Sequence, residues 1–326
     1  MTMQYRRLGT SGLTVSVVGL GCNNLGRPGT HTEDQNGTNE VVGAALEAGI
    51  TLFDVADIYG STPGLSEERL GTALGSHRDD VVLATKFGMD MQGSNGPDWG
   101  ARGSRRYIIK AVEASLKRLG TDWIDLYQFH TPDPQTPIEE TLSALDTLVQ
   151  SGKVRYIGHS NRAGYQIAEA EYVARALGTE RFISAQNHYN LLDRRAELEV
   201  LPAARAYGLG VLPYFPLANG LLTGKYSQGV APEGTRLSRV RTEMVTGADL
   251  DQLAAYGEFA RVRGLTEVDL ALSWLAAQEP VSSVIAGATR IEQVQQNAQA
   301  VRWVPNEDER KQLDELFPSQ PRVALF

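Results

Sequence analysis

The run Ile109-Lys-Ala-Val112-Glu-Ala-Ser-Leu116-Lys-Arg-Leu119-Gly120-Thr-Asp-Trp-Ile124-Asp-Leu-Tyr-Gln128-Phe-His130 carries the pattern that decides the fold. Ile109, Val112, Leu116 and Leu119 recur at three- and four-residue steps, which predicts a helix with one face on a core. Gly120 is its stop signal. Residues 124–128 then read as a strand buried on both faces, because apolar and β-favouring types run almost without interruption. A polar residue, His130, stands just past that strand's end.

The same unit recurs along the chain. Candidate strands are residues 15–19, 51–54, 81–85, 124–128, 154–158, 183–187, 210–213 and 283–286, with helical periods such as Val41, Val42, Ala45 and Leu46 between them. Helix starts are signalled by Ser66 with Glu67 and Glu68, by Pro137 with Glu139 and Glu140, and by Thr266 with Glu267; Gly49, Gly75, Gly120 and Gly152 signal stops. Strand–helix alternation predicts parallel strands joined by crossover helices. Eight strands suit a closed (β/α)8 TIM barrel, and the count by itself also fits an open doubly wound sheet. Three segments interrupt the repeat: 5–14, read as an N-terminal β-hairpin turning at Thr10-Ser-Gly12, and the long loops 88–104 and 217–249. Both long loops follow predicted strand ends, at the C-terminal face where barrel enzymes build their sites.

With 326 residues, 42% apolar and 21% charged, the chain can form one large barrel domain. A net charge of −8 without a basic run argues against nucleic acid as a partner. The N-terminus has no apolar leader, and no stretch reaches the roughly 18 apolar residues of a spanning helix, so neither export nor membrane insertion is expected. One cysteine, Cys22, excludes an internal disulfide and suits a reducing cytoplasm. Asn36-Gly37-Thr38 matches a glycosylation sequon; in a chain expected in the cytoplasm, Asn-Gly reads as a turn. Nothing in the sequence indicates an oligomer.

Polar residues gather at strand ends: Asp54, Lys86 and His130 would be aimed at one mouth, and Tyr59 lies on the loop after Asp54. Taken singly, each is more often a cap, an ion-pair partner or packing. Together they suit carbonyl reduction, which needs hydride at carbon and a proton at oxygen. Lys86 beside Tyr59 is expected to lower the phenol's pKa, Asp54 to hold Lys86 charged, and His130 to orient the substrate oxygen.

The blocks Phe53-Asp-Val-Ala-Asp-Ile-Tyr-Gly60, Ala84-Thr-Lys-Phe-Gly88 and Leu126-Tyr-Gln-Phe-His130 resemble the catalytic blocks of the aldo-keto reductase superfamily. The resemblance runs from Leu8-Gly to about Ala300, through Gly158-His-Ser-Asn161, Ala185-Gln-Asn187, residues 214–225 and residues 287–297, in the family's order. It implies the barrel fold, a small-molecule carbonyl substrate and a nicotinamide cofactor. By that similarity Ser160, Asn161 and Gln186 would bond the nicotinamide carboxamide, and Tyr214 would stack on its ring. Phe215, Pro216 and Ala218 fall in the cofactor stretch where Leu217, Gly220 and Lys225 would line the pyrophosphate, with Arg236 as a basic clamp. Gly287, Thr289 and Arg290 lead into a helix whose N-terminus favours an anion, which points to a ribose 2′-phosphate and so to NADPH/NADP+. Gln293 and Asn297, four apart, would reach the 2′-phosphate region and adenine, and Gln296 stands where a Glu is frequent.

The sequence departs from the family pattern at Val55, His159, Phe215 and Gln296, and Cys22-Asn23-Asn24 is unusual. A Rossmann dehydrogenase is disfavoured because Gly19-Leu-Gly21 lacks the third glycine and a prompt helix. A metal-dependent hydrolase using His130, His159 and His188 lacks supporting carboxylate spacing. A Schiff-base aldolase through Lys86 is a further rival, and a cofactor-sensing subunit with little turnover is the alternative within the resemblance.

Overall fold

The computed structural model describes residues 2–226, 229–233, 235–238 and 241–319. Strands and helices alternate as expected, with parallel strands in the order β10-β3-β4-β5-β6-β7-β8-β9. These are β3 (Val18–Gly21), β4 (Leu52–Asp54), β5 (Val82–Phe87), β6 (Ile124–Phe129), β7 (Val154–Ser160), β8 (Ser184–Gln186), β9 (Gly210–Val211) and β10 (Val284–Gly287). The sheet closes into the (β/α)8 barrel through the segment before β10: Val211 donates to the Pro280 carbonyl at 2.9 Å, Ser282 to Val211 at 3.0 Å and Ile285 to Pro213 at 3.0 Å. Closure removes the two edges of the eight-stranded sheet.

A hairpin of β1 (Tyr5–Arg7) and β2 (Thr14–Ser16) precedes the barrel, pairing Tyr5 with Ser16 and Arg7 with Thr14. The expected hairpin is therefore two residues longer, and the first barrel strand starts at Val18 instead of residue 15. Leu8, Leu13 and Val15 explain the shift. They pack into the barrel interior with Leu52, Ala84, Leu126, Leu212 and Ile285, so this stretch is drawn across the barrel floor. The amides of Gly9 and Thr10 bond Ser282 and Gly208, which seals the N-terminal end.

Around the sheet lie α1 (Gln35–Glu47), α2 (Leu65–Leu74), α3 (Arg105–Leu119), α4 (Ile138–Gln150), α5 (Gly164–Leu177) and α6 (Val200–Tyr207). After β9 come α7 (Glu243–Thr246), α8 (Leu250–Arg261) and α9 (Glu267–Ala276), and after β10 come α10 (Ile291–Gln299) and α11 (Glu307–Leu316). In α3 the buried face runs from Tyr107 and Ile108 through Ala111, Val112, Ser115 and Leu116 to Leu119, whereas Ile109 is exposed. Ile109 stands one step, about 100°, off that face. On the outward face of the sheet Phe87 stacks on Tyr127 at 4.7 Å and on Phe129 at 5.0 Å.

Two local expectations change. Asn36-Gly37 is the first turn of α1, capped by Asp34 accepting from Gly37 N at 2.8 Å; a Cβ on Gly37 would fall 1.7 Å from the His31 carbonyl, so glycine is there for close approach. α2 begins at Leu65 after Gly64 at φ +92°, and Ser66 lies inside it, donating to the Cys22 carbonyl. Thr266 does cap α9, in a capping box completed by Asp269. Among the described residues no helix is long and apolar enough to cross a membrane.

Candidate active site

Side chains along a barrel strand alternate between the helix layer and the interior. On β5 this sends Leu83, Thr85 and Phe87 outward and Ala84 and Lys86 inward, so Lys86 becomes a fully buried ammonium near the C-terminal mouth. Desolvation on that scale requires a partner. Asp54, at the end of β4, supplies it: Lys86 Nζ lies 2.7 Å from Asp54 Oδ2 and also donates to the Val55 carbonyl at 3.0 Å. The other carboxylate oxygen of Asp54 accepts from Gln128 Nε2 at 3.0 Å and Gln186 Nε2 at 2.9 Å. Burial pulls the Lys86 ammonium down, but Asp54 and Tyr59 outweigh it and hold its pKa above the ordinary lysine value.

Tyr59 reaches this pair from the loop after β4. That loop continues the ladder, with Val55 N on Ala84 O at 2.9 Å and Asp57 N on Lys86 O at 3.1 Å, and Tyr59 then closes a turn on the Ala56 carbonyl. The phenolic oxygen accepts from Lys86 Nζ at 3.5 Å, and the ammonium sits 4.9 Å from the ring centroid. Contrary to the lowered pKa expected from Lys86, the phenol is raised: burial pushes it up first, Lys86 pulls it down and Asp54 pushes it up again. Lys86 softens the desolvation penalty without reversing it. The phenol is therefore a proton-loaded donor at neutral pH.

His130 meets the Tyr59 ring edge-on at 5.8 Å between centroids. Burial, and secondarily the Lys86 charge, push its pKa down to about 3, so the imidazole is neutral. Its Nδ1 is buried without a partner. The four residues Asp54, Tyr59, Lys86 and His130 thus converge at one end of the barrel. Cys22 lies beside them; burial and Asp54 push its thiol up, so it is no nucleophile there.

The residues expected to hold a cofactor line the same end. Ser160 Oγ donates to the Gln186 carbonyl at 2.7 Å; Asn161 Nδ2 donates to the His130 carbonyl at 2.9 Å and accepts through Oδ1 from Tyr214 OH at 2.8 Å. Asn161 adopts φ +58°, a left-handed turn that Asn tolerates. One face of Tyr214 is covered by His188, 5.4 Å away and nearly parallel, with Phe215 edge-on to both rings. Pro216 and Ala218 are buried, Leu217 and Gly220 are half-buried, and Lys225 is exposed. Arg236 opens a 3-10 turn, Arg236–Ser238, and its side chain lies outside the described residues.

Gly287 ends β10, and the exposed Arg290 forms the N-cap of α10 with no side-chain bond to the helix. Gln293 turns back on the same turn, its Oε1 accepting from Thr289 N at 2.8 Å and Thr289 Oγ1 at 3.2 Å. Gln296 is exposed and Asn297 buried.

Sequence reading passed over Gln128, whose signal was available: it lies two residues before His130 on β6, hence on the same face. Gly158 makes room for it, since a Cβ there would meet Ser184 Oγ at 2.2 Å and Gln128 Cγ at 3.2 Å. Of the three histidines near strand ends, His159 points into the helix layer against Phe182, and His188 bonds Asp193 and Asn190. Among the described residues no three His, Cys, Asp or Glu side chains cluster as a metal ion requires.

The sequence model of the aldo/keto reductase family matches residues 17–317. The chain is 38% identical to the L-glyceraldehyde 3-phosphate reductase of Escherichia coli O157:H7, covering 92% of this chain and 88% of that protein. It is 38% identical to an uncharacterized oxidoreductase of Bacillus subtilis, YrpG, over 97% of this chain and 96% of the relative. It is also 36% identical to a protein of Oryza sativa subsp. japonica named as a probable voltage-gated potassium channel subunit beta, with coverage of 93% and 92%.

Proposed function

Given that this chain belongs to the aldo/keto reductase family, we propose that it is an oxidoreductase reducing an aldehyde or ketone to the alcohol with NADPH, and that Tyr59 delivers the proton. The carrying observation is the buried chain of contacts Asp54–Lys86–Tyr59 with a neutral His130 at its edge. No simple packing role requires a fully desolvated ammonium to be aimed at a phenol.

The site's donors fit a dinucleotide. The strand-end amides and hydroxyl of Ser160, Asn161 and Gln186 suit a carboxamide, and Tyr214, backed on one face by His188, offers its other face to a flat ring. The unpartnered Nδ1 of His130 and Oδ1 of Asn219 are orphaned polar atoms at the same end of the barrel. Phosphates find the stretch from Leu217 to Lys225, and the N-terminus of α10 with Arg290 and Thr289 supports a 2′-phosphate. When bound, the nicotinamide supplies hydride to the carbonyl carbon.

The chain's own groups manage the oxygen. Neutral His130 donates one hydrogen bond to the carbonyl oxygen, orienting it and stabilising the charge that gathers there. Tyr59 then gives its proton to that oxygen. Lys86 stabilises the phenolate left behind, and Asp54, held by Gln128 and Gln186, keeps Lys86 from drifting. Purified protein offered NADPH and a panel of aldehydes, including phosphorylated trioses because of the named Escherichia coli relative, is expected to consume the nicotinamide absorbance. Absence of turnover across the panel, with tight nucleotide binding, would favour the second reading, a cofactor-sensing subunit of a larger assembly; the rice relative is named as a subunit of such an assembly.

A further inference from the structure

Outside the barrel wall, behind the turn that carries Tyr59, lies a second buried polar cluster that the chemistry above does not use. It comprises Asp57 from that turn, Glu67 from α2, Thr85 from β5, Tyr107 and Arg118 from α3, Tyr127 from β6 and Asn95 from the loop 88–104. Glu67 is saturated: Thr85 donates to one oxygen at 2.6 Å and Arg118 Nε to the other at 2.6 Å. Arg118 also donates to Asn95 Oδ1 at 3.1 Å. Asn95 in turn donates to Asp57 Oδ2 at 3.1 Å and Tyr107 OH at 3.4 Å.

Two features give Asn95 its weight. From residue 89 to 102 only Met91 and Asn95 are buried, so Asn95 is the polar anchor of a loop that rises from the strand carrying Lys86. Its partner, Asp57, bonds the Lys86 carbonyl through its own amide and stands two residues before Tyr59. We propose that Asn95 is a positioning residue for Tyr59, tying the outer loop of the mouth to the catalytic turn through Asp57.

The charges in the cluster favour the protonated form of Asp57. Two carboxyl groups share one guanidinium, and Glu67 takes it. Burial, then the nearby Glu67, push the Asp57 acid well above the usual carboxylate range, while Arg118 and the Asn95 bond only partly offset them. Its second oxygen, Oδ1, has no partner. Oδ2 accepts from the Asn95 amide in either protonation state, so the tether itself needs no change of charge.

The proposal rests on Tyr59 as proton donor, and its test separates the two. Asn95→Leu, which keeps the branching and heavy-atom count and removes the hydrogen bonds, is expected to lower kcat at least tenfold with less than threefold change in KM and nucleotide affinity. Hydrogen exchange over residues 88–104 and 55–59 should quicken together. Asp57→Asn should hold kcat within about threefold, because the new amide oxygen still accepts from Asn95. The exchange Asp57→Asn with Asn95→Asp rebuilds the bond in reverse, retains a partner for Arg118 and should restore kcat; it also decides the matter if Asn95→Leu does not fold. Unchanged kcat in folded Asn95→Leu, a change confined to KM or to thermal stability, or a folded exchange variant that stays tenfold slow would overturn the tether. A wild-type chain without turnover would instead sink the reductase reading, leaving coupled hydrogen exchange as the test of the tether.

Discussion

Replacing Tyr59 by Phe removes one oxygen whose hydrogen-bond partner is Lys86 Nζ, at a long 3.5 Å. The ammonium keeps its two shorter bonds, to Asp54 at 2.7 Å and to the Val55 carbonyl at 3.0 Å, so no buried charge is orphaned. The stability change should therefore stay within about 1 kcal/mol, the net worth of one ordinary hydrogen bond. Loss of a positioned general acid costs ~10²–10⁴ in rate, or about 3–5 kcal/mol of barrier. The two magnitudes are far enough apart to be read separately. We expect kcat for carbonyl reduction, followed by nicotinamide absorbance, to fall at least 100-fold, while nucleotide affinity by titration and the urea midpoint barely move. A Phe variant that keeps kcat within tenfold would show that the proton comes from another group. One that loses nucleotide binding and stability together would make the ring a packing element.

Three further outcomes follow from the same contacts. Lys86→Met strands Asp54 in the interior with only two amide donors and should cost ~3–5 kcal/mol in chemical denaturation, part of it recovered when Asp54→Asn is added; equal losses in single and double variants would contradict the pairing. Burial lowers the pKa of His130 from 6.5 to about 3 and that of His159 well below 6.5. The unfolded chain thus binds protons more readily, and the stability these two residues contribute is complete above about pH 6.5 and drains away as pH falls toward 3. Because both ring nitrogens of the fully buried His159 lack partners, His159→Leu should stabilise by about 1–3 kcal/mol and flatten that acid limb; destabilisation would refute it. Arg290→Ala should weaken NADPH by about 10- to 100-fold, the value of a charge-assisted contact, and leave NADH nearly unchanged; parallel weakening of both would place the 2′-phosphate elsewhere.

Much of this protein was legible without coordinates, for a physical reason. Helical and strand periods are local properties, so the alternating units, their glycine stops and most strand positions follow from neighbouring residues. Asp54, Lys86 and His130 stand out because a polar residue ending an apolar strand needs explaining, and parallel strands aim such residues one way. Contacts between distant segments decided the rest. Closure runs through residues 280–285 against β9, and the floor is sealed because Leu8, Leu13 and Val15 find the barrel interior. Position 37 is helical because Asp34 caps its amide, and it is glycine because a carbonyl six residues earlier packs on it. Asn95 and Asp57 are ordinary in sequence and acquire meaning only through contacts with other segments, such as the bond between them across 38 residues. The acidity of Tyr59 was the subtlest case. Its charged neighbours were readable, but the burial that outweighs them belongs to the folded molecule alone.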